Sequence, residues 1–212
     1  MIRNRPRILI ADDHLLVAEA CRNLLDGEFE VVGVVSDGRA LLREVSELHP
    51  DLVIVDIAMP NLNGLDACEQ IKEKSPSPKI VFLTMTDRAE VAAEAFRRGA
   101  SGYVLKHCSA GELSVAVRTV LRGESYLSPI ITKDTVDFLL QTGKPKKENP
   151  LTLRQREVLQ LLAEGKAMKE IAFLLDIRAG TVAFHKYKIM EALGIKTNAE
   201  LLEYALRQRA FL

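Results

Sequence analysis

Five residues of types that handle phosphate follow short apolar bursts in this chain. Asp12 and Asp13 follow RILIA, Asp56 follows LVIV, Thr84 ends KIVFLT, and Lys106 follows GYVL. In an open parallel sheet the carboxyl ends of the strands share one crevice, and ligands collect there. Folded that way, three carboxylates meet a hydroxyl and an ammonium. Three like charges a few ångströms apart repel strongly unless a cation sits among them. Oxygen ligands on a partly solvated rim suit Mg2+, which keeps several waters and favours phosphate chemistry. Lys106 and Thr84 would face the other side of a phosphoryl group, one neutralising an oxygen and the other hydrogen-bonding a second. One acid at a strand end is ordinarily a cap or a loop residue. The whole set at the ends of successive strands points to phosphoryl chemistry.

The elements that must position these residues are legible from residue type. RILIA, EVVGVV, DLVIVDI, KIVFLT and GYVLK are short, rich in β-branched residues and nearly free of alternation, as strands buried on both faces are. Between them, apolar residues recur every three or four positions over 15–25, 39–48, 65–74, 89–98 and 110–121. Five strands alternating with five helices predict a five-stranded parallel, doubly wound α/β sheet of the flavodoxin-like kind. Right-handed crossovers place helices on both faces.

Beyond residue 122 the pattern changes. GESYLSPIITKDTVDFLLQ can form one short helix after Pro129, and TGKPKKENP gathers Gly, Pro and Lys as a solvated linker does. From Leu151 onward every pattern is helical. Thr152 and Gln155 fit a capping box, Gly165 can end the helix they open, and a short helix follows around 169–175. A turn at 176–179 leads into a longer helix over 180–193, stopped by Gly194. Thr197 and Glu200 form a second capping pair, and the last helix is expected over 199–211. The expected organisation is an α/β domain over 1–122, a linker with a short helix over 123–149, and an all-α domain over 150–212.

Composition is that of an ordinary globular protein, 48% apolar and 27% charged, with zero formal net charge. The balance is uneven along the chain. Residues 1–150 carry 19 Lys+Arg against 22 Asp+Glu, while 151–212 carry 10 against 7. An acidic first part joined to a basic second part suggests different partners for each. No apolar run approaches the ~18–20 residues of a membrane span, and MIRNRPRILIADDH reads as a first strand rather than a signal peptide. Cys21, Cys68 and Cys108 are odd in number and form no C-x-x-C pair, so they are expected as reduced thiols in a cytoplasmic protein.

Two helices joined by a tight turn, the second ending at glycine, suit a helix-turn-helix. Val182, Ile189 and Leu193 would share one face and pack on Ile171, Ala172 and Leu175. Thr181, Ala183, Phe184, His185, Lys186 and Lys188 then lie around the other side, and Lys169 belongs to the helix before. Basic residues there neutralise DNA phosphates, and a helix N-terminus such as that near Thr181 can receive one.

ILIADDH, VDIAMPNLNGLDA, FLTMTD and GYVLKHCS resemble the receiver domain of two-component response regulators. That resemblance implies Asp56 as phosphoacceptor and Mg2+ bound by Asp13, Asp56 and the backbone carbonyl of Ala58, with Asp12 holding a coordinated water. It implies Thr84 and Lys106 as grips on the phosphoryl oxygens and Tyr103 as a switch aromatic. Pro60 and Gly64 would shape the loop after the acceptor. Met85 stands where many receivers have a small residue, and His107 where many have proline.

LTLRQREVLQLLAEGKAMKEIAFLLDIRAGTVAFHKYKIMEALGIKTNAEL is similar to the LuxR/NarL/FixJ DNA-binding domain. Ala183 stands where that family commonly has lysine, Arg178 where it has serine, and Ala167–Met168 where it has Ser-Asn. Ala183 and Phe184 could touch thymine methyls instead. Together the two resemblances imply a response regulator transcription factor. A sensor histidine kinase would phosphorylate Asp56 and thereby control homodimerisation and binding to double-stranded DNA. Beyond self-assisted transfer to and hydrolysis from Asp56, no enzyme activity is expected. Two rivals remain. A metal-dependent phosphohydrolase would need a second acid–base carboxylate, such as D-x-D, which VDIAM lacks. A phosphorylation-independent interaction module would not need the whole pocket set intact.

Overall fold

The computed structural model describes residues 5–75, 77–107, 109–142 and 150–207. The expected end of the last helix at 208–211, the thiol of Cys108 and most of the TGKPKKENP stretch lie outside those residues. The chain divides into two compact units, Met1–Gly143 and Lys144–Leu212.

In the first unit all five expected strands form: β1 (Arg7–Ala11), β2 (Glu30–Val35), β3 (Leu52–Val55), β4 (Lys79–Thr84) and β5 (Gly102–Leu105). The helices between and after them are α1 (Leu15–Leu25), α2 (Gly38–Leu48), α3 (Gly64–Lys74), α4 (Ala89–Arg97) and α5 (Ala110–Leu121). The pairings are all parallel, in the order β2-β1-β3-β4-β5, with one addition at the edge. Tyr126–Leu127 forms a sixth strand, β6, paired with Gly102 and Tyr103 of β5. The sheet thus has six strands where five are expected. Two residues carry no periodicity of their own, and only the neighbouring edge of β5 makes them a strand.

β3 and β5 are buried along their whole length, whereas β2, an edge strand, is only half-buried. Ile8, Ile10, Leu52, Ile54, Val81 and Val104 meet Leu25, Phe29, Val117 and Val120 in one core. Burying each such side chain contributes roughly 1.5–3 kcal/mol before conformational entropy is set against it. Side chains fix where helices begin. Asp37 accepts from the amides of Arg39 and Ala40 to open α2, and Asn63 accepts from Asp66 to open α3. After β6, helix α6 (Pro129–Thr142) packs against α4 and buries Ile131 and Thr135. It is longer than the short helix expected there.

The second unit contains α7 (Leu153–Ala163), α8 (Met168–Leu174), α9 (Ala179–Leu193) and α10 (Asn198–Arg207). The capping box forms as expected, with Gln155 and Thr152 each accepting from the other's amide. At α10 only half of the expected pair forms: Thr197 accepts from the Glu200 amide, but the Glu200 carboxylate takes the Lys196 amide. Val182 and Ile189 pack with Ile171, Ala172 and Leu175, and Leu193 sits partly buried against that cluster. Gly194 ends α9 at φ 68°, a left-handed conformation that glycine adopts without Cβ strain. Arg154 of α7 donates to the Leu175 carbonyl at the end of α8 and pairs with Glu157, which fixes α8 against α7.

Candidate functional site

Asp12 and Asp13 follow β1, Asp56 follows β3, Thr84 ends β4 and Lys106 follows β5, so parallel strand order brings all five to one edge. The Lys106 ammonium lies 2.7 Å from Asp56 Oδ2 and 2.8 Å from Asp12 Oδ2. Asp12 also accepts from the His14 amide, which occupies much of its hydrogen-bonding capacity. Asp56 is 4% exposed, and its second oxygen, Oδ1, is buried without a hydrogen-bond partner. An orphaned carboxylate oxygen costs about 1–3 kcal/mol or more unless something binds it. Ligand atoms of Asp12, Asp13, His14 and Asp56 all lie within 4.8 Å of one another. This donor set and the orphaned oxygen fit a hard divalent cation.

Thr84 is buried beside the pocket, where its hydroxyl accepts from the Thr86 amide at 3.3 Å. Burial alone would pull the Lys106 pKa down, but its bonds to Asp12 and Asp56 outweigh that and hold it above its ordinary value. Tyr103 is fully buried, and its hydroxyl donates to the Thr86 carbonyl at 2.8 Å. Burial raises its pKa, with the charges of Asp56 and Asp87 adding to the effect. The pocket and Tyr103 are therefore joined through the Thr84–Thr86 segment.

The loop after Asp56 passes so close that a Cβ on Gly64 would sit 2.1 Å from the Asp56 carbonyl oxygen. Only glycine fits there. Ala58 and Pro60 are exposed on this loop, and Asn61 completes its turn with φ 65°. On the far side Arg98, after α4, reaches the buried Asp66 of α3 and also pairs with Glu94 and Glu69. Cys68 of α3 donates to the Arg98 carbonyl, and burial pushes its thiol up to about 12. Cys21 and Cys68 are buried and form no disulfide, as expected of core residues.

In the second unit Ala183 and Phe184 of α9 are exposed, Phe184 at 56%. His185 packs edge-on to Phe184, their centroids 5.8 Å apart. Lys169 on α8 is exposed and Thr181 half-buried. The other two expected contacts stand differently. Lys186 lines a small apolar recess with Leu159, Leu162 and Leu201, and Lys188 pairs with Glu191 at 2.7 Å. Tyr187, absent from the expected set, is 65% exposed on the Ala183–Phe184 side.

Residues 8–118 match the family described as response regulator receiver domain, and residues 149–205 the bacterial regulatory proteins of the luxR family. The chain is 38% identical to oxygen regulatory protein NreC of Staphylococcus carnosus (strain TM300), covering 96% of this chain and 98% of that protein. The chain is a response regulator of the LuxR family.

Solved structures agree with that assignment. The RcsB response regulator of Salmonella typhimurium is 28% identical, with a TM-score of 0.63, over 96% of this chain and 98% of that one. A LuxR-family response regulator from Aurantimonas sp. SI85-9A1 is 31% identical, with a TM-score of 0.62, over 64% of this chain and 99% of that one. An RcsB–DNA complex matches at 28% identity and a TM-score of 0.59, over 95% of this chain and 98% of that one. This response regulator thus joins a receiver to a LuxR-type DNA-binding domain and regulates transcription. Among its described residues no helix is long and apolar enough to cross a membrane.

Proposed function

We propose that Asp56 is the phosphoacceptor of this response regulator and that its phosphorylation by a sensor histidine kinase controls DNA binding. The observation that carries this reading is the Asp56 carboxylate itself. Oδ2 is held by Lys106 and Oδ1 is buried without a partner, which supports a carboxylate that takes a cation on Oδ1 and attacks phosphorus through Oδ2. In the transfer a P–N bond to the kinase histidine breaks and a P–O bond to Asp56 forms. Lys106 neutralises one phosphoryl oxygen, and the Thr84 hydroxyl hydrogen-bonds another. Asp13, Asp56 and the Ala58 carbonyl would hold Mg2+, with Asp12 holding a coordinated water. The ion would offset the negative charge on the phosphoryl oxygens. The same groups would assist hydrolysis of the acyl phosphate, and no further enzymatic chemistry is assigned.

Drawing Thr84 and Lys106 toward the phosphoryl group would pull on Thr86 and hence on the Tyr103 hydroxyl, shifting a pre-existing equilibrium. Ser128 is the next relay. It donates its amide to the Tyr103 carbonyl, accepts from the Leu105 amide, and donates its hydroxyl to Glu112. The state of the pocket would in this way reach α6 and the linker that leads to the DNA-binding domain, whose proposed span is 150–212.

Lys169, Thr181, Ala183, Phe184, His185, Lys186 and Lys188 are the proposed DNA contacts, with Tyr187 added on exposure. Leu202 and Leu206 leave apolar surface exposed on α10, which supports this helix as the contact of a DNA-bound homodimer. A related structure is of RcsB dimers on DNA. A cytoplasmic location fits this role.

The test is incubation with a small phosphoryl donor and Mg2+, followed by intact mass and peptide mapping. One added phosphoryl group on Asp56, absent from Asp56→Asn, is expected. Labelling at another residue, or equal labelling of the variant, would overturn the assignment.

A further inference from the structure

The ring of His14 lies beside the acidic pocket, yet the resemblance to receivers assigns it no role. Its Nδ1 is 2.9 Å from Asp13 Oδ1 and 3.4 Å from Asp12 Oδ1. The side chain is 64% exposed. Asp12 is already engaged by Lys106 and by the His14 amide, whereas Asp56 Oδ1 has no partner at all. The donors left open on one side of the pocket thus include the carboxylates of Asp13 and Asp56 and the imidazole nitrogen of His14, beside the proposed Ala58 carbonyl.

We infer that His14 is a nitrogen ligand of the cation in this pocket, so that the site takes divalent transition ions more tightly than the oxygen ligands alone would. The inference rests on the reading of the pocket as a cation site. Adjacent ligands of an octahedral ion with bonds of about 2.1 Å lie about 3 Å apart, and opposite ones about 4.2 Å apart. The 2.9 Å separation of His14 Nδ1 and Asp13 Oδ1 matches an adjacent pair. The 4.8 Å bound on the whole cluster needs only a small contraction. For Nδ1 to bind metal, the imidazole must be neutral with its proton on Nε2, so that its close approach to Asp13 becomes shared coordination. Imidazole adds little for Mg2+, which prefers oxygen, but suits Co2+, Ni2+ and Zn2+. The nitrogen therefore alters which ion the pocket selects while the carboxylate framework stays the same.

The test is titration of the full chain with Mg2+ and, separately, with Co2+. Calorimetry gives the affinities, and visible absorption reports nitrogen ligation of Co2+. The variants are His14→Ala, His14→Gln and Asp13→Asn, with circular dichroism to verify folding. The expected result for both His14 variants is Co2+ binding weakened at least tenfold, with a changed Co2+ spectrum. Mg2+ binding should weaken less than threefold. Asp13→Asn should weaken both ions, which places the binding in this pocket rather than at the other histidines. Co2+ affinity and spectrum unchanged in the His14 variants would overturn the inference while leaving the pocket reading intact. Failure of the wild type to bind either ion, or an Asp13→Asn variant that binds both normally, would remove the pocket reading and the inference with it.

Discussion

The two sites of this response regulator are built in opposite ways. The receiver pocket draws Asp12, Asp13, Asp56, Thr84 and Lys106 from four strand ends, and most of that set is buried or held by ion pairs. The proposed DNA-binding face takes nearly all its residues from one helix, α9, and leaves Ala183, Phe184 and Tyr187 in solvent. In the pocket, position is set by the sheet, and the proposed role of Asp56 is one that no neighbour shares. On α9, position is set by the phase of a helix, and the contacts are many, exposed and partly interchangeable. The difference predicts all-or-none losses in the first site and graded losses in the second.

Asp56→Asn should remove phosphoryl uptake altogether, and Lys106→Ala should slow it by roughly two orders of magnitude, the scale of losing one preorganised electrostatic group. Uptake by Lys106→Ala within threefold of wild type would show that the pocket tolerates loss as the helix face does. Next in size, Arg98→Ala leaves Asp66 buried without its cation and should cost about 3–5 kcal/mol in urea unfolding of the receiver. A cost below 1 kcal/mol would mean the α3–α4 ion pairs do not support the pocket's framework. On the graded side, Phe184→Ala should weaken specific DNA binding by about 1–3 kcal/mol. Lys169→Ala should weaken binding to all sequences alike and lower the salt slope by about 1. A larger loss from Lys169 than from Phe184 would reverse the proposed division between positioning and reading.

The smallest effect concerns pH. The folded-state pKa of Lys106 is raised, so its bonds to Asp12 and Asp56 contribute fully below 10.5 and are lost only as pH climbs through the higher folded value. Phosphoryl uptake should show no inflection from Lys106 between pH 7 and pH 9. An inflection in that range that disappears in Lys106→Arg would contradict it.

Sequence legibility follows the same division. The five strands could be read because buried parallel strands are continuous apolar runs, and once their order was assumed the pocket followed from which residue came last in each. β6 could not be read, since Tyr126–Leu127 is a strand only by courtesy of β5. The extent of α6 was equally hidden, because Ile131 and Thr135 find their burial against α4 rather than in a periodic pattern of their own. On α9 the core side, Val182 and Ile189, was plain, but the outer side was harder to divide. Lys186 turns toward α7 and α10, and Tyr187, apolar enough to pass for core, faces out. A histidine after an acidic pair has no pattern to mark it, and only the folded distances bring His14 to the pocket.

One buried carboxylate is proposed to control an exposed helix in another domain. Fluorescence anisotropy tests it most directly, using genomic DNA fragments with and without beryllofluoride and Mg2+, on wild type and Asp56→Asn. Tighter binding with the phosphoryl mimic in wild type, and no change in Asp56→Asn, is the expected result. Equal binding in all four samples would contradict it.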